Sequence, residues 1–290
     1  MASMANQAPE ELFSLSGDPV IESVTAAVRT HMSRYDASHD FAHIRRVVGL
    51  ARHLAWAYQE EQYKISPVAA QENPVNWRVA ALAALLHDVG DRKYLDAHGD
   101  ASLSDTDQQA ITDLLRDTPY VDDPGARATA AVLHRCSADR ELTRQVVLVC
   151  QNVSWSHENR TAESRAAVTE LAARVPELAI VQDADRLDSI GGIGIARCFA
   201  FGARASTECP GGRPLNVSLD HFDEKLVHVV ECMKTTEGRR LAFERTQRLR
   251  MFQAWFREEA AFAAGDVHGS TSDEGNIRST GDGDATMAED

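Results

Sequence analysis

The feature that most constrains the fold is an apolar stretch that ends abruptly in a charged pair. Residues 77–89 are rich in Ala and Leu, which is typical of a helix, and Gly90 follows as a typical helix stop. His87 and Asp88 lie at the end of this stretch. An imidazole and a carboxylate are costly to place there unless a metal ion or another partner compensates for their burial. Neighbouring helical residues point about 100° apart, so the pair can share an ion only at a helix end or a distorted turn.

Helical spacing extends over most of the chain, whereas the alternation that is typical of strands is almost absent. One buried face is marked by apolar residues at spacings of three and four, namely Val47, Leu50, Ala51, Leu54 and Tyr58. Further helices are predicted over residues 105–116, 126–134, 141–153, 175–201, 219–233 and 237–264. Loops are predicted at 65–76 and 202–217, the second of them rich in Gly and Pro. The sequence therefore predicts an all-α protein.

The length and the two ends of the chain define its expected organisation. The 290 residues suffice for one large domain or two small ones. Residues 265–290 are rich in Gly, Ser, Thr and Asp, and we expect them to be disordered because they offer too little apolar surface to offset the entropy of ordering. Residues 1–15 are expected to be flexible, which leaves 16–264 as a single globular helical domain.

Charge and composition restrict the partners and the compartment. The net charge is −14, and the acidic tail accounts for only −6 of it, so we expect no stable binding to nucleic acid. A small anionic substrate remains compatible, because a metal ion and a few arginines can reverse the field inside one pocket. No apolar run is long enough for a membrane span, and the polar, acidic start is unlike a secretory signal, so a cytoplasmic or nuclear protein is expected. The five scattered cysteines are expected to be reduced.

Two further segments carry residues that could bind a metal ion. His39 and His43 are four apart and so share a helix face, and His43 continues the apolar stripe of the following helix. Asp183, Asp185 and Asp188 stand in an otherwise apolar segment. On a regular helix Asp183 and Asp185 point about 200° apart, so both cannot face one ion, whereas Asp185 and Asp188 can face the same side.

These segments together resemble the HD-domain superfamily of metal-dependent phosphohydrolases. The resemblance extends from about residue 18 to 259 and rests on SHDFAHIRRV, LLHDVGDRKY, QDADRLDSIGGIGIARCFAFG, DHFDEKLVHV and MKTTEGRRLAFER. It implies that one divalent metal ion is held by His43, His87, Asp88 and Asp185, with Asp183 as the rival for the last place. The implied activity is hydrolysis of phosphate ester or anhydride bonds of nucleotides, as a nucleoside triphosphate pyrophosphohydrolase or a nucleotide phosphatase.

The roles around the metal ion follow partly from the same resemblance. Asp88 or Asp183 would accept the proton of the attacking water, and His87 belongs to the catalytic set. The substrate is expected to contact His39, Arg92, Lys93, Arg197, His221 and Lys225. His39 and Asp40 could instead orient His43, or Asp40 could simply cap the helix. Arg186 could pair with an acid and be structural, and Trp155 could line a base or sugar pocket or pack in the core.

The number and identity of the metal ions leave alternatives open. Dinuclear relatives, such as phosphodiesterases and an oxygenase branch, add two histidines between the HD pair and the last aspartate, and here His98, His134 and His157 lie in that interval. None of them is in a compelling motif, so one ion is favoured. Mixed nitrogen and oxygen ligands suit Mn²⁺, Co²⁺, Fe²⁺, Ni²⁺ or Zn²⁺, and Mg²⁺ is also considered. A nucleotide-binding regulatory protein without turnover is the third alternative, and the oligomeric state is not fixed by the sequence.

Overall fold

In the computed structural model, which describes residues 16–33, 40–90, 103–203 and 211–262, all regular structure is helical. The prediction of an all-α fold is confirmed. The helices are α1 Pro19–Met32, α2 Phe41–Ile65, α3 Pro67–Glu72, α4 Trp77–Leu86, α5 Asp105–Leu115, α6 Pro124–Arg135, α7 Arg140–Val153, α8 Trp155–Glu158, α9 Ala162–Arg174, α10 Pro176–Asp188, α11 Gly191–Gly202, α12 Leu215–Glu224 and α13 Thr236–Ala261. A 3₁₀ helix, Leu226–Cys232, lies between the last two.

Several helices begin at a short polar side chain that caps them. Asp18 accepts hydrogen bonds from the backbone N–H groups of Val20 and Ile21 at the start of α1. Asp40 accepts one from the N–H of His43 at 3.0 Å, and Asn76 accepts one from Val79. Each cap satisfies an N–H group that has no partner within the helix.

The core is built around α4 and α10. Every residue of α4 except Arg78 is buried, and α10 is buried along most of its length. Helix α10 packs against α2, α4, α7 and α9, and α4 also packs against α1, α2 and α7. This apolar packing brings the C-terminal ends of α4 and α10 close to the N-terminal start of α2. Polar residues lie at each of these helix ends.

The predicted helix over residues 175–201 is two helices in the structure. Helix α10 ends at Asp188 and α11 begins at Gly191, whose φ of 72° lies in the left-handed region that favours glycine. A Cβ atom at this position would also lie 3.0 Å from the side chain of Arg245. The predicted continuous helix is therefore divided by a turn that ends at Gly191.

The predicted helix over residues 219–233 is also interrupted. Helix α12 ends at Glu224, and Lys225 has φ −138° and ψ −52°, which is not helical. The 3₁₀ helix that follows changes the direction of later side chains. His221, Lys225 and His228, whose spacings of four and three would put them on one face of a continuous helix, are therefore not on one regular helix.

Other differences are local. The predicted loop at 65–76 contains the short helix α3, which Ser66 caps, and α12 begins inside the predicted loop at 202–217. In addition to α3, the helices α1, α8 and α9 were not predicted from the sequence. The predicted helix 77–89 ends at Leu86, and His87 to Gly90 form a turn instead.

The chain divides into two compact units, residues 1–251 and residues 252–290. In the second unit the structure describes only residues 252–262, where the rings of Phe252 and Phe256 on α13 lie 6.2 Å apart. A membrane-spanning helix, long and apolar enough to cross a bilayer, is not found among the described residues. The cysteines of the described ranges, Cys136, Cys150, Cys198 and Cys232, are free thiols, as expected.

Candidate metal centre

Four side chains from two helices and one turn converge at one point. His43 lies in the first turn of α2, His87 and Asp88 follow the last residue of α4, and Asp185 lies in the last turn of α10. The Nε2 atoms of His43 and His87 are 3.3 Å apart. The nearest carboxylate oxygens of Asp88 lie 3.4 Å from His43 Nε2 and 3.5 Å from His87 Nε2. An oxygen of Asp185 lies 3.6 Å from each imidazole.

Both imidazoles have their other ring nitrogen engaged. His87 Nδ1 donates to the backbone carbonyl oxygen of Ala84 at 2.9 Å, because a carbonyl can only accept. His43 Nδ1 lies 2.8 Å from Oδ2 of Asp188, which as a carboxylate is also an acceptor. When both rings are neutral, the Nε2 lone pairs of His43 and His87 therefore face each other and the carboxylates of Asp88 and Asp185. Such a cluster of acceptors needs a cation or protons to be stable.

The charges of the site favour a positive group between these acceptors. Burial opposes the protonation of His87, but the negative charge of Asp88 and the interactions with Asp185 outweigh it and raise the pKa of His87 to about 9. Burial opposes protonation of His43 as well, and its bonds to Asp188 and Asp88 reverse this and raise its pKa. Partial removal of Asp185 from water would raise its pKa, but His87 and His43 stabilise its ionised form and lower the pKa.

The donor set also fits the size of a divalent ion. Nitrogen and oxygen ligands lie about 2.0–2.2 Å from ions such as Zn²⁺, so ligand atoms at neighbouring coordination positions lie about 3.0–3.5 Å from one another. The separations of 3.3, 3.4 and 3.5 Å among His43, His87 and Asp88 match this spacing. Within the described residues these three form the cluster with metal-binding spacing, and Asp185 approaches it at 3.6 Å. The prediction that the pair at the end of α4 could share an ion at a turn is consistent with this geometry.

Asp188 holds His43 in place, a role that the sequence did not assign to it. In addition to His43, its carboxylate accepts hydrogen bonds from Arg46 Nε at 2.7 Å and from Arg197 at 2.9 Å. Burial raises the pKa of Asp188, but His43 and Arg46 more than compensate and hold it well below its usual range. Its spacing of three from Asp185 was the signal that the two acids face the same side.

Arg197 lies beside the metal centre, and Asp40 has one of its two expected roles. Arg197 donates to both the side chain and the backbone carbonyl of Asp188, so it binds the carboxylate that supports His43. A substrate contact of Arg197 stays a prediction. Asp40 caps α2, and Asp188 is the residue that orients the His43 ring.

Asp183 is not brought to the cluster. Its side chain is fully buried and accepts hydrogen bonds from the backbone N–H groups of Lys234 and Thr235 and from the Thr235 hydroxyl, at 2.7–3.1 Å. Burial raises the pKa of Asp183, and these donors only partly oppose the effect. The expectation that Asp183 is a metal ligand or the general base is corrected, since both of its oxygens are occupied by donors at the start of α13.

Arg186 is structural, as one of the two interpretations had it. Its guanidinium binds the buried carboxylate of Glu158 and donates to the carbonyl oxygen of Cys232 at 2.9 Å. Lys234 Nζ binds the same carboxylate at 2.7 Å. Arg186 also lies over the ring of Trp155, with 5.5 Å to the centroid, so this tryptophan packs on a cation network.

The remaining substrate-side residues are only partly described. His39, Arg92 and Lys93 lie outside the described residues. Lys225 Nζ lies 5.9 Å from the centroid of the Trp155 ring. His221 is half-buried beside Glu224, 3.6 Å away, and burial together with Lys225 lowers its pKa. A substrate role for His221 and Lys225 stays a prediction.

Two of the three histidines that could make the centre dinuclear, His134 and His157, are described by the structure, and they lie outside the cluster. His134 Nε2 lies 3.5 Å from Asp107 near the start of α5, and His157 lies in the short helix α8. His98 lies outside the described residues. Within the described part of the chain, neither His134 nor His157 belongs to the cluster of His43, His87 and Asp88.

Comparison with known proteins places the chain in a family. The family model of the HD domain matches residues 40–190, which is more than half of the chain. The uncharacterized protein YpgQ of Bacillus subtilis is 23% identical over 224 residues, covering 77% of this chain and 85% of YpgQ. A crystal structure of YpgQ in complex with ADP has 21% identity and a TM-score of 0.46, with 83% of this chain and 97% of YpgQ covered.

Two further solved structures are similar. A Lactobacillus plantarum protein has 20% identity and a TM-score of 0.53, and 86% of this chain and 99% of that chain are covered. An HD-superfamily hydrolase of Bacillus thuringiensis has 24% identity and a TM-score of 0.48, with 88% and 99% covered. The matched family region begins at the cap of α2 and ends just after α10, and it includes all four converging side chains. The chain belongs to the HD domain family.

Proposed function

We propose that this protein is a phosphohydrolase that uses one divalent metal ion to hydrolyse ester or anhydride bonds of nucleotides. The observation that carries the proposal is the convergence of two Nε2 atoms and two carboxylates, with both Nδ1 atoms already committed to other acceptors. His43, His87, Asp88 and Asp185 would hold the ion. When bound, the ion supplies Lewis-acid activation of a water molecule and of a phosphoryl oxygen.

The side chains of the site divide the remaining work. Asp188 fixes the tautomer and the direction of the His43 ring, and the Ala84 carbonyl does the same for His87. Asp88 is the candidate to accept the proton of the attacking water, since Asp183 is occupied by Lys234 and Thr235. Asp185 is about a third exposed, so the site opens to solvent on its side and a substrate can approach there.

A nucleotide is the substrate class we favour. The resemblance of the motifs implies it, and the crystallisation of YpgQ with ADP supports the inclusion of adenine nucleotides in any test. Lys225 beside Trp155 offers a cation next to an aromatic ring, which is a combination that suits a phosphate and a base.

The proposal is tested with a substrate panel. Ribo- and deoxyribonucleoside triphosphates, ADP, monophosphates and cyclic nucleotides are incubated with Mn²⁺, Co²⁺, Ni²⁺, Zn²⁺ or Mg²⁺, and released phosphate and pyrophosphate are quantified. Wild type is expected to hydrolyse at least one class in a metal-dependent way, and His87→Ala is expected to be inactive. Full activity of His87→Ala would refute the site. Tight nucleotide binding without turnover for any ion would instead indicate a regulatory protein.

A further inference from the structure

A cavity lies on the face of helix α2 that points away from the candidate metal centre. It has a volume of about 220 Å³ and is bounded by α1, α2 and α4. Its lining consists of Thr25, Arg29, Phe41, Arg45, Val48, Gly49, Arg52 and Leu85. Three of these eight residues are arginines and none is acidic, although the chain as a whole carries a net charge of −14.

The three arginines have no acidic partner among the residues that the structure describes. Arg29 lies over the ring of Phe41, with 4.9 Å from its guanidinium carbon to the centroid, and this contact leaves its N–H donors to other groups. No hydrogen bond or ion pair of the Arg45 or Arg52 side chain is found within the described ranges. By contrast, the neighbouring Arg46 is paired with Asp188.

The cavity is separate from the metal centre. On α2, Arg45 points about 200° away from His43, and Phe41, Arg45, Val48 and Arg52 follow one another along the face that lies opposite to it. The metal ligands therefore use one face of α2 and the arginine-lined cavity uses the other.

The size of the cavity and its donors restrict the ligand. Typical pockets for drug-sized ligands have about 300–1,000 Å³, so this cavity suits a smaller group. Guanidinium groups present forks of N–H donors that match the oxygens of phosphate. Gly49 contributes space, because no atom lies within 4 Å of the position that its Cβ would occupy.

We propose that the cavity lined by Arg29, Arg45 and Arg52 is a binding site for a small phosphate-type oxyanion, inorganic phosphate or pyrophosphate, distinct from the metal centre. The arginines provide the charge and the donors, and Phe41 holds Arg29 at the rim. The proposal does not depend on hydrolytic activity.

Binding is measured by isothermal titration calorimetry with phosphate and with pyrophosphate on full-length protein carrying His87→Ala and kept in EDTA, so that binding at the metal centre does not contribute. Adenosine serves as the uncharged probe. The double variant Arg45→Gln/Arg52→Gln, added to this background, is expected to weaken binding of the better anion by about a hundredfold, since each charge-assisted contact contributes about tenfold or more. The matched control Arg174→Gln/Arg250→Gln removes the same charge from exposed positions on α9 and α13 and is expected to bind like its parent.

A third variant separates shape from charge. Gly49→Leu keeps every arginine and places a side chain into the cavity, so it is expected to abolish binding while the melting temperature stays close to that of the parent. The proposal is overturned if neither anion binds the parent protein, if the two double variants weaken binding equally, or if adenosine binds as well as pyrophosphate. Circular dichroism confirms that each variant is folded.

Discussion

Two aspartates on one helix illustrate two kinds of buried polar site. Asp185 and Asp183 are both in the last two turns of α10, and they point to different sides. Asp185 faces the Nε2 atoms of His43 and His87, whose Nδ1 atoms are already committed. Asp183 faces two backbone N–H groups and one hydroxyl at the start of α13. The side of α10 that carries Asp185 brings hydrogen-bond acceptors together. The side that carries Asp183 gives each acceptor its donors.

This difference separates a candidate functional site from a structural one. Matched donors and acceptors stabilise a fold without any further group. Acceptors that face acceptors are stable only when a cation or protons lie between them. The Glu158 network on the structural side follows the first rule as well, because Arg186 and Lys234 neutralise its buried carboxylate. Substitutions on the two sides should therefore affect different properties.

The largest effect is expected on the side that gathers acceptors. His87→Ala removes one of the two Nε2 atoms that would bind the metal ion. We expect hydrolysis in Mn²⁺ to fall roughly a thousandfold, because activation by the metal ion stabilises the transition state by several kcal/mol. Initial rates on the best substrate of the panel measure this. His157→Ala, in α8, is the matched control and should keep nearly full activity. An equal loss in both variants would mean that the centre extends to α8.

On the matched side, Asp183→Ala should reduce stability and leave the centre intact. It deprives the N–H groups of Lys234 and Thr235 of their acceptor, which we expect to lower the free energy of unfolding by about 2–4 kcal/mol. Urea denaturation checks the change, and metal content per folded chain should remain that of the wild type. Loss of the metal with unchanged stability would contradict the separation of the two sides.

A smaller effect is expected where the support of a ligand is weakened. Asp188→Asn keeps an acceptor for His43 Nδ1 but removes the negative charge that binds His43, Arg46 and Arg197. We expect metal affinity to fall about 10–100-fold while the fold is retained. Competition with a fluorescent chelator measures this. Unchanged affinity would show that Asp188 serves only the packing of α2 on α10.

The smallest effect concerns pH and the Glu158 network. Burial would raise the pKa of Glu158, but Arg186 and Lys234 outweigh it and hold the pKa below its ordinary value of 4.5. The ionised form is thus favoured in the folded state, so its stabilising contribution is complete above pH 4.5 and is lost as the pH falls through the lower folded-state value. Urea denaturation of wild type and Glu158→Gln is measured from about pH 3 to 7. The difference in unfolding free energy between the two proteins should shrink toward the acidic end of this range. A difference that is constant at all pH values would contradict this assignment.

The sequence was sufficient for the fold class and for the side of α10 that carries Asp185. Polar residues at the ends of apolar segments are conspicuous, and helix geometry alone prevents Asp183 and Asp185 from facing one ion. The partners of Asp183 could not be predicted, because Lys234 and Thr235 are more than 50 residues away and only the tertiary fold brings them close. The contact of Arg197 with Asp188 was not predicted either, although the two residues are only nine apart in the sequence, and a substrate contact of Arg197 stays a prediction.

The predicted helix boundaries were wrong where backbone geometry and tertiary contacts determine the end of a helix. The periodicity of apolar residues continues across Gly191 and Lys225, so each pair of helices looks like one. In the structure Gly191 has a positive φ and lies against Arg245, and Lys225 leaves the helical region. The cap at Asp40 could be predicted as one of two roles, and the orienting role belongs to Asp188 instead.

The most direct test of the central claim is the metal content of the purified protein. Wild type is loaded with Mn²⁺, freed of excess ion and analysed by inductively coupled plasma mass spectrometry, in parallel with His43→Ala and Asp183→Asn. We predict one ion per chain in wild type and in folded Asp183→Asn, and close to none in His43→Ala. Retention of the ion by His43→Ala, or its absence from wild type, would contradict the assignment of the cluster as the metal centre.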